Sequence, residues 1–300
     1  MNTIELNSVR KTYDQFVAVD NLSFSIEQGT VFGLLGPNGA GKTSTIRMMI
    51  GITAPDSGEI RLFGEPFNRK HLNHVGYLPE ERGLYKKMKI LDQLIFLGEL
   101  HGMSAASARQ KAVEWCEKLE IAERLQSKVE ELSKGMQQKI QFIAALLHEP
   151  DFVIMDEPFY GLDPVNSSLL KNVLLDLKKQ GKTILFSTHR MDQVEKLCDS
   201  ICLINHGKPV LEGNLKQVKA RYGKNNIQIG YEGDAAFLEH NTLVRSFNNY
   251  GNYVEVRLAP GADSQQLLRM VSEHSRINRF ELMEPSLEEI FIEVVGNDHA

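Results

Sequence analysis

Eight consecutive residues, Gly36-Pro37-Asn38-Gly39-Ala40-Gly41-Lys42-Thr43, have the types and spacing of a phosphate cradle. Glycines let the backbone fold so that several N–H groups turn inward. A helix that opens just after them adds the positive end of its dipole. Lys42 would reach the terminal phosphates, and the Thr43 hydroxyl, followed by Ser44 at the helix start, would ligate Mg²⁺. The context fits: the apolar run Val31 to Leu35 reads as a strand leading in, and Lys42 to Ile50 as a helix leading out. A Gly-rich surface turn with a stray lysine would not need all eight positions. The loop alone does not choose among kinases, GTPases, helicases and transporters.

A second constellation lies in Phe152-Val153-Ile154-Met155-Asp156-Glu157, a buried strand ending in two carboxylates. In an open α/β sheet, ligands bind at the carboxyl ends of strands. Successive side chains point to opposite faces, so the two acids have separate tasks. Asp156 suits Mg²⁺, and Glu157 suits orienting and deprotonating an attacking water. His189 ends the next strand, Phe186-Ser187-Thr188-His189, on the same sheet edge and within reach of a terminal phosphate. Alone, a histidine there reads as a cap or packing residue; its place among the other motifs reverses that preference. Ser133, in Leu132-Ser133-Lys134-Gly135-Met136, is a natural N-cap, and a capped helix N-terminus is also an anion site.

The elements that position these residues follow from hydrophobic periodicity. Strands are expected over Ile4 to Val9, Leu22 to Ile26, Val31 to Leu35 and Gly58 to Phe63. From about Ile90 to His148 the pattern turns helical, with Leu91, Leu94, Ile95 and Gly98 on one face and Met136, Ile140, Ile143, Ala144 and Leu147 on another. Strand and helix then alternate through Phe152 to Met155, Val165 to Lys179, Thr183 to Ser187, Met191 to Leu197 and Ile201 to Ile204. That alternation implies a mostly parallel sheet covered by helices, with residues from about 86 to 150 as an inserted helical subdomain. A break at Tyr222-Gly223-Lys224-Asn225-Asn226 divides residues 1–222 from 223–300. The second part reads as a small α/β domain with strands Ile227 to Tyr231, Thr242 to Phe247, Tyr253 to Leu258 and Ile277 to Met283, and helices Ser264 to Ser275 and Ser286 to Val295.

Composition sets outer bounds. The chain has 300 residues, 42% hydrophobic and 24% charged, enough for one large domain and a smaller one. The longest apolar run, Phe142 to Leu147, falls far short of the roughly 20 residues that span a bilayer. The start, Met-Asn-Thr-Ile-Glu-Leu, lacks the basic and apolar regions of a signal peptide. Cys116, Cys198 and Cys202 form no CxxC pair and suit a reducing cytosol. His71 and His74 have no metal-spaced partners and read as surface or packing residues. Net charge is −5; residues 223–300 hold 6 Lys/Arg against 12 Asp/Glu, which leaves +1 on the rest. Neither part carries the basic face that nucleic-acid binding needs.

In this order, the phosphate loop, Leu132-Ser133-Lys134-Gly135, Asp156-Glu157 and Thr188-His189 resemble the ATP-binding-cassette ATPases over residues 1 to about 220. The resemblance implies a P-loop NTPase cassette with antiparallel N-terminal strands, binding ATP with Mg²⁺ and acting beneath transmembrane permease subunits on the cytoplasmic face of the membrane. Two cassettes would sandwich two ATP molecules, so Ser133 and Gly135 would meet the γ-phosphate held by the opposite chain. Tyr13, in Lys11-Thr12-Tyr13-Asp14, resembles the aromatic that stacks on adenine. Asp163, in Gly161-Leu162-Asp163-Pro164, resembles a loop residue that communicates across the dimer, and it is also a good N-cap ahead of Pro. Two positions depart from the family pattern. Glu80 stands where a Mg²⁺-sensing Gln is usual, with Glu81 beside it, and a carboxylate can still hold the metal. Lys134 replaces a commoner Gly.

The ending Glu284-Pro285-Ser286-Leu287-Glu288-Glu289-Ile290-Phe291 resembles sodium-exporter and drug-exporter cassettes with an extra C-terminal domain, implying an exporter motor working as a homodimer or cassette–cassette dimer. A soluble cassette ATPase acting on ribosomes or DNA is the alternative. It would call for two cassettes in one chain or a long coiled-coil insertion. A P-loop kinase or GTPase leaves Leu132–Gly135 and His189 unexplained, and no Asn-Lys-x-Asp guanine motif is present.

Overall fold

A computed structural model describes residues 1–81, 83–223, 225–233 and 236–296. The chain divides into two compact units, Met1–Leu215 and a second beginning at Lys216. Lys224, inside the expected break, lies outside the described residues.

The first unit opens on a long hairpin, β1 (Asn2–Tyr13) and β2 (Phe16–Glu27), then the buried strand β3 (Val31–Leu35) and helix α1 (Lys42–Met49). Strands β4 (Ser57–Leu62), β5 (Glu65–Pro66) and β6 (Val75–Leu78) follow. The helical block comprises α2 (Ile90–Leu100), α3 (Ala105–Lys118) and α4 (Lys134–Leu146). Then come β7 (Phe152–Asp156), α5 (Pro164–Lys179), β8 (Thr183–Thr188), α6 (Met191–Leu197), β9 (Ser200–Asn205) and β10 (Lys208–Asn214).

Two sheets result. An antiparallel one has the order β2-β1-β4-β5, and a six-stranded one has the order β10-β9-β3-β8-β7-β6. The latter is parallel except where β10 turns back on β9. A single buried cluster joins Leu6 and Phe24 from the first sheet, Ile46 from α1, and Ile154 and Cys202 from the second. Phe24 stacks on Phe32 at 5.1 Å between centroids, a contact between the two sheets.

Three departures from the sequence reading have local causes. Strand β6, Val75-Gly76-Tyr77-Leu78, is too short to show a period. Its Gly76 is there because a Cβ would lie 2.1 Å from the Ala145 carbonyl of α4. Strand β10 is a polar edge strand with no apolar alternation. Helix α4 buries Gln138, Lys139 and Gln141 as well as its apolar face. Each of these polar side chains reaches a backbone carbonyl: Gln138 that of Pro158 at 3.3 Å, Lys139 that of Leu119 at 2.9 Å, and Gln141 that of Glu81 at 3.1 Å.

The second unit begins in α7 (Leu215–Arg221) and runs through β11 (Asn226–Glu232), β12 (Val244–Asn249), β13 (Tyr253–Leu258), α8 (Ser264–His274), β14 (Arg276–Met283) and α9 (Leu287–Gly296). Its sheet, β12-β13-β11-β14, is antiparallel throughout. Ile229, Val254, Val256, Leu267 and Val271 form its core. The Ser286–Glu289 stretch closes a capping box for α9. Ser286 Oγ accepts from the Glu289 N–H at 3.2 Å, and the Glu289 carboxylate accepts from the Ser286 N–H at 2.7 Å. Among the described residues of the chain, no helix is long and apolar enough to cross a membrane.

Candidate active site

Strand β3 is buried along its whole length and delivers the glycine-rich loop to the carboxyl edge of the parallel sheet. At the loop's end Gly41 caps α1 with φ of 108°, and a Cβ there would sit 2.4 Å from the Ala18 carbonyl. Only glycine satisfies both conditions. Lys42 is buried and folds back to donate to the carbonyls of Gly36 at 2.8 Å and Pro37 at 3.1 Å. Burial pushes its ammonium pKa down, while the charges of Glu157, Asp156 and Glu80 oppose that shift.

A cavity of about 350 Å³ runs along this edge. Tyr13, Phe16 and Ala18 of the β1–β2 hairpin line it, with Asn38, Gly39, Gly41, Lys42, Thr43 and Ser44 of the loop and Glu80, Asp156 and Glu157. Gly36, Pro37 and Ala40 shape the loop without lining the cavity. Phe16 and Ala18 escaped the sequence reading. The available signal was that Tyr13 and Phe16 flank a two-residue turn and pair across it, which puts both side chains on one face. Tyr13 keeps 38% of its surface exposed, as a stacking ring must.

The two acids are fixed by strand register. Parallel pairing sets Asp156 opposite Ser187, whose hydroxyl donates to one carboxylate oxygen; the other accepts from the Thr43 hydroxyl at 2.9 Å. Glu157 lies one residue past β7 with φ of 50°, a left-handed conformation that costs a non-glycine residue about 1 kcal/mol or more. Its N–H bonds the Ser187 carbonyl at 3.1 Å. Its Oε2 accepts from the Thr188 hydroxyl at 3.0 Å. Its Oε1 accepts from the His189 N–H at 3.0 Å and from His189 Nδ1 at 2.7 Å. His189 lies one residue beyond β8 rather than within it, and this freedom lets its ring turn back onto Glu157.

Other expected site residues stand elsewhere on the same unit. Ser133 caps α4, accepting from the Met136 N–H at 3.3 Å, and is exposed, with Gly135 half-buried beside it. Asp163 caps α5 by accepting from the Asn166 N–H at 2.9 Å, which holds its carboxyl below the usual carboxylate range. None of the three lines the cavity. Glu80 does, with its side chain exposed.

The donor set here is hard oxygen: the Thr43 hydroxyl and the carboxylates of Asp156 and Glu80. Among the described residues, no group of three or more His, Cys, Asp or Glu forms a closed metal site. Oxygen donors of this number fit a Mg²⁺ ion that completes its shell with substrate phosphates and water. Chemically, the edge can hold a polyphosphate against a buried lysine and present a carboxylate to a water molecule.

The chain is similar to known proteins along most of its length. A family described as ABC transporter matches residues 19–160, and the C-terminal domain of DrrA1-3-like ATP-binding proteins matches residues 213–295. The ABC transporter ATP-binding protein YhaQ of Bacillus subtilis (strain 168) is 46% identical over 293 residues, covering 98% of each chain. The linearmycin resistance ATP-binding protein LnrL of the same organism is 31% identical over 98% of each chain. The Nod factor export ATP-binding protein I of Paraburkholderia xenovorans (strain LB400) is 42% identical over 70% of each. Among solved structures, the ATP-binding subunit of an ABC transporter aligns with a TM-score of 0.69 at 29% identity, covering 74% of this chain and 93% of that one. The ADP conformation of a cassette from an ABC transporter aligns with a TM-score of 0.64 at 25% identity, covering 73% and 93%.

Proposed function

This chain belongs to the ATP-binding-cassette transporter family as an ATP-binding subunit, and on that premise we propose that it hydrolyses ATP to drive an exporter. The observation that carries the proposal is the meeting, in one cavity, of the phosphate loop, the Thr43–Asp156 pair and the Glu157 carboxylate. Tyr13 stacks on the adenine, and the loop from Gly36 to Ser44 cradles the phosphates, with Lys42 released from its own loop carbonyls to meet them. Thr43, Asp156 and Glu80 hold Mg²⁺, which when bound neutralises phosphate charge. In hydrolysis a water oxygen bonds the γ-phosphorus, and the bond to the bridging oxygen breaks with its electrons leaving on ADP. Glu157 takes the water's proton. His189 swings from Glu157 toward the γ-phosphate.

Ser133 and Gly135 stand outside the cavity of their own chain, which supports a role at the site of a second cassette. Two copies, or one copy and a related cassette, would close head to tail, each signature helix capping the other's ATP, with Asp163 between them. The sites then move transmembrane permease subunits from the cytoplasmic face of the membrane. The words "export" and "resistance" in relatives' names support outward transport. Residues 223–300 form an accessory domain, separate from the cassette of residues 1–222, that holds the two copies together.

Mixing Lys42→Ala chains with Ser133→Arg chains tests the sandwich. Each heterodimer keeps one intact site, so ATPase activity should rise above the sum of the two inactive parents. No gain, in verified heterodimers, would overturn the shared site.

A further inference from the structure

The two oxygens of the Glu157 carboxylate are held in different ways. Oε1 accepts from His189 Nδ1 at 2.7 Å and from the His189 N–H at 3.0 Å. The His189 side chain is 44% exposed and stands past the end of β8, so rotation about its χ angles breaks the Nδ1 bond. Oε2 accepts from Thr188, a β-branched residue inside β8 with 1% of its surface exposed. A branched side chain in a buried strand has little χ1 freedom. The Thr188 hydroxyl oxygen also accepts from the Arg190 N–H at 3.1 Å. With a donor already at that oxygen, the hydroxyl proton is directed onto Glu157. Thr188 therefore cannot turn away without stripping a partner from the buried Glu157 Oε2 and from the Arg190 N–H, whereas His189 can.

We infer that Thr188 is a positioning residue for hydrolysis: it pins Oε2 of Glu157 so that Oε1 is the oxygen exposed to the attacking water once the His189 ring leaves. The inference rests on Glu157 being the base. A pinned carboxylate also explains how a residue at φ of 50° keeps one side-chain direction. Displacement of a reacting group by about 1 Å can cost roughly 100-fold in rate.

ATP turnover by the full-length chain tests this through Thr188→Val, Thr188→Ser, Glu157→Gln and the double variant. Thr188→Val should lower kcat by about 10- to 100-fold while KM for ATP stays within about twofold. Thr188→Ser, which keeps the hydroxyl, should recover most of the rate. In the Glu157→Gln background, Thr188→Val should cost nothing further, because a residue acting only through Glu157 has nothing left to position. Thermal melting checks folding, and Thr188→Ala, read by the same criteria, replaces a valine variant that does not fold. An unchanged kcat, a loss carried by KM, a loss that persists in Thr188→Ser, or an added loss in the Glu157→Gln background would each overturn the inference. Glu157→Gln hydrolysing at the unaltered rate would instead overturn the assignment of Glu157 as base, a separate failure.

Discussion

The two units bury their strands differently. In the cassette, β3, β7 and β8 are buried at every position, enclosed on both faces. In the second unit β13 alternates half-buried and buried residues, and β14 is exposed at most positions. A parallel sheet enclosed on both faces brings several strand ends to one edge, where loop, acids and histidine gather. The antiparallel sheet of the second unit encloses a small core and leaves β14 largely exposed. Similar secondary structure thus gives two different surfaces, and the difference lies in where the strands stop.

Carboxylates offer the sharpest way to break that contrast. Glu157 and Glu289 each accept several hydrogen bonds, one set at the cassette's strand edge and the other at the cap of α9. Glu157→Gln should lower hydrolysis by about 100- to 10,000-fold with ATP binding retained, since an amide cannot take the water's proton. Glu289→Gln should leave turnover unchanged and cost the second unit about 1 kcal/mol. Steady-state ATPase rates and denaturant unfolding of both variants check this; a turnover defect in Glu289→Gln would tie the tail to the chemistry.

A cavity in the tail core probes independence. Leu267 is fully buried there, and Leu267→Ala should cost about 2–5 kcal/mol in the unfolding of that unit. Nucleotide affinity, measured by titration, should stay as in the unaltered chain, and residues 1–222 alone should bind ATP equally well. Lost affinity in either would mean that the cassette needs its neighbour to fold.

The smallest expected effect is acid sensitivity of the cassette. His148 stacks on His101 with centroids 3.8 Å apart; its Nε2 faces the Val75 carbonyl, and its Nδ1 has no partner. Burial, reinforced by His101, pushes its pKa down to about 4 from an ordinary 6.5, and His74 and Lys182 act in the same direction. The unfolded chain therefore binds a proton below pH 6.5 that the folded chain refuses until about pH 4. Stability is full above 6.5 and falls as pH drops toward 4. Solvent reaches part of the ring, so about 1 kcal/mol is expected across that window. Denaturant midpoints at pH 7 and 5 should show the slope, and His148→Leu should flatten it.

Much of this was legible along the chain because its causes are local. The phosphate loop is a short-range pattern of backbone freedom, Ser133 and Asp163 announce themselves as caps, and the alternating runs mark most strands and helices to within a residue or two. Among the strands that escaped, β6 and β10 lack a local period. One has a glycine where the backbone of α4 passes, and the other is a polar edge.

Residue types at the acidic edge were fixed by sequence, but their partnerships were not. Asp156 meets Thr43 across 113 residues of chain, and Glu157 meets Thr188 across 31. Those meetings depend on strand order and parallel register, which hydrogen bonds between distant segments decide. Nothing within either segment marks Ser187 and Thr188 as the residues that hold the two acids. Side-chain direction alternates along a strand, so a one-residue slip of β8 against β7 would turn Ser187 away from Asp156. The sequence determined which groups are available for chemistry, and the packed sheet decided which of them touch.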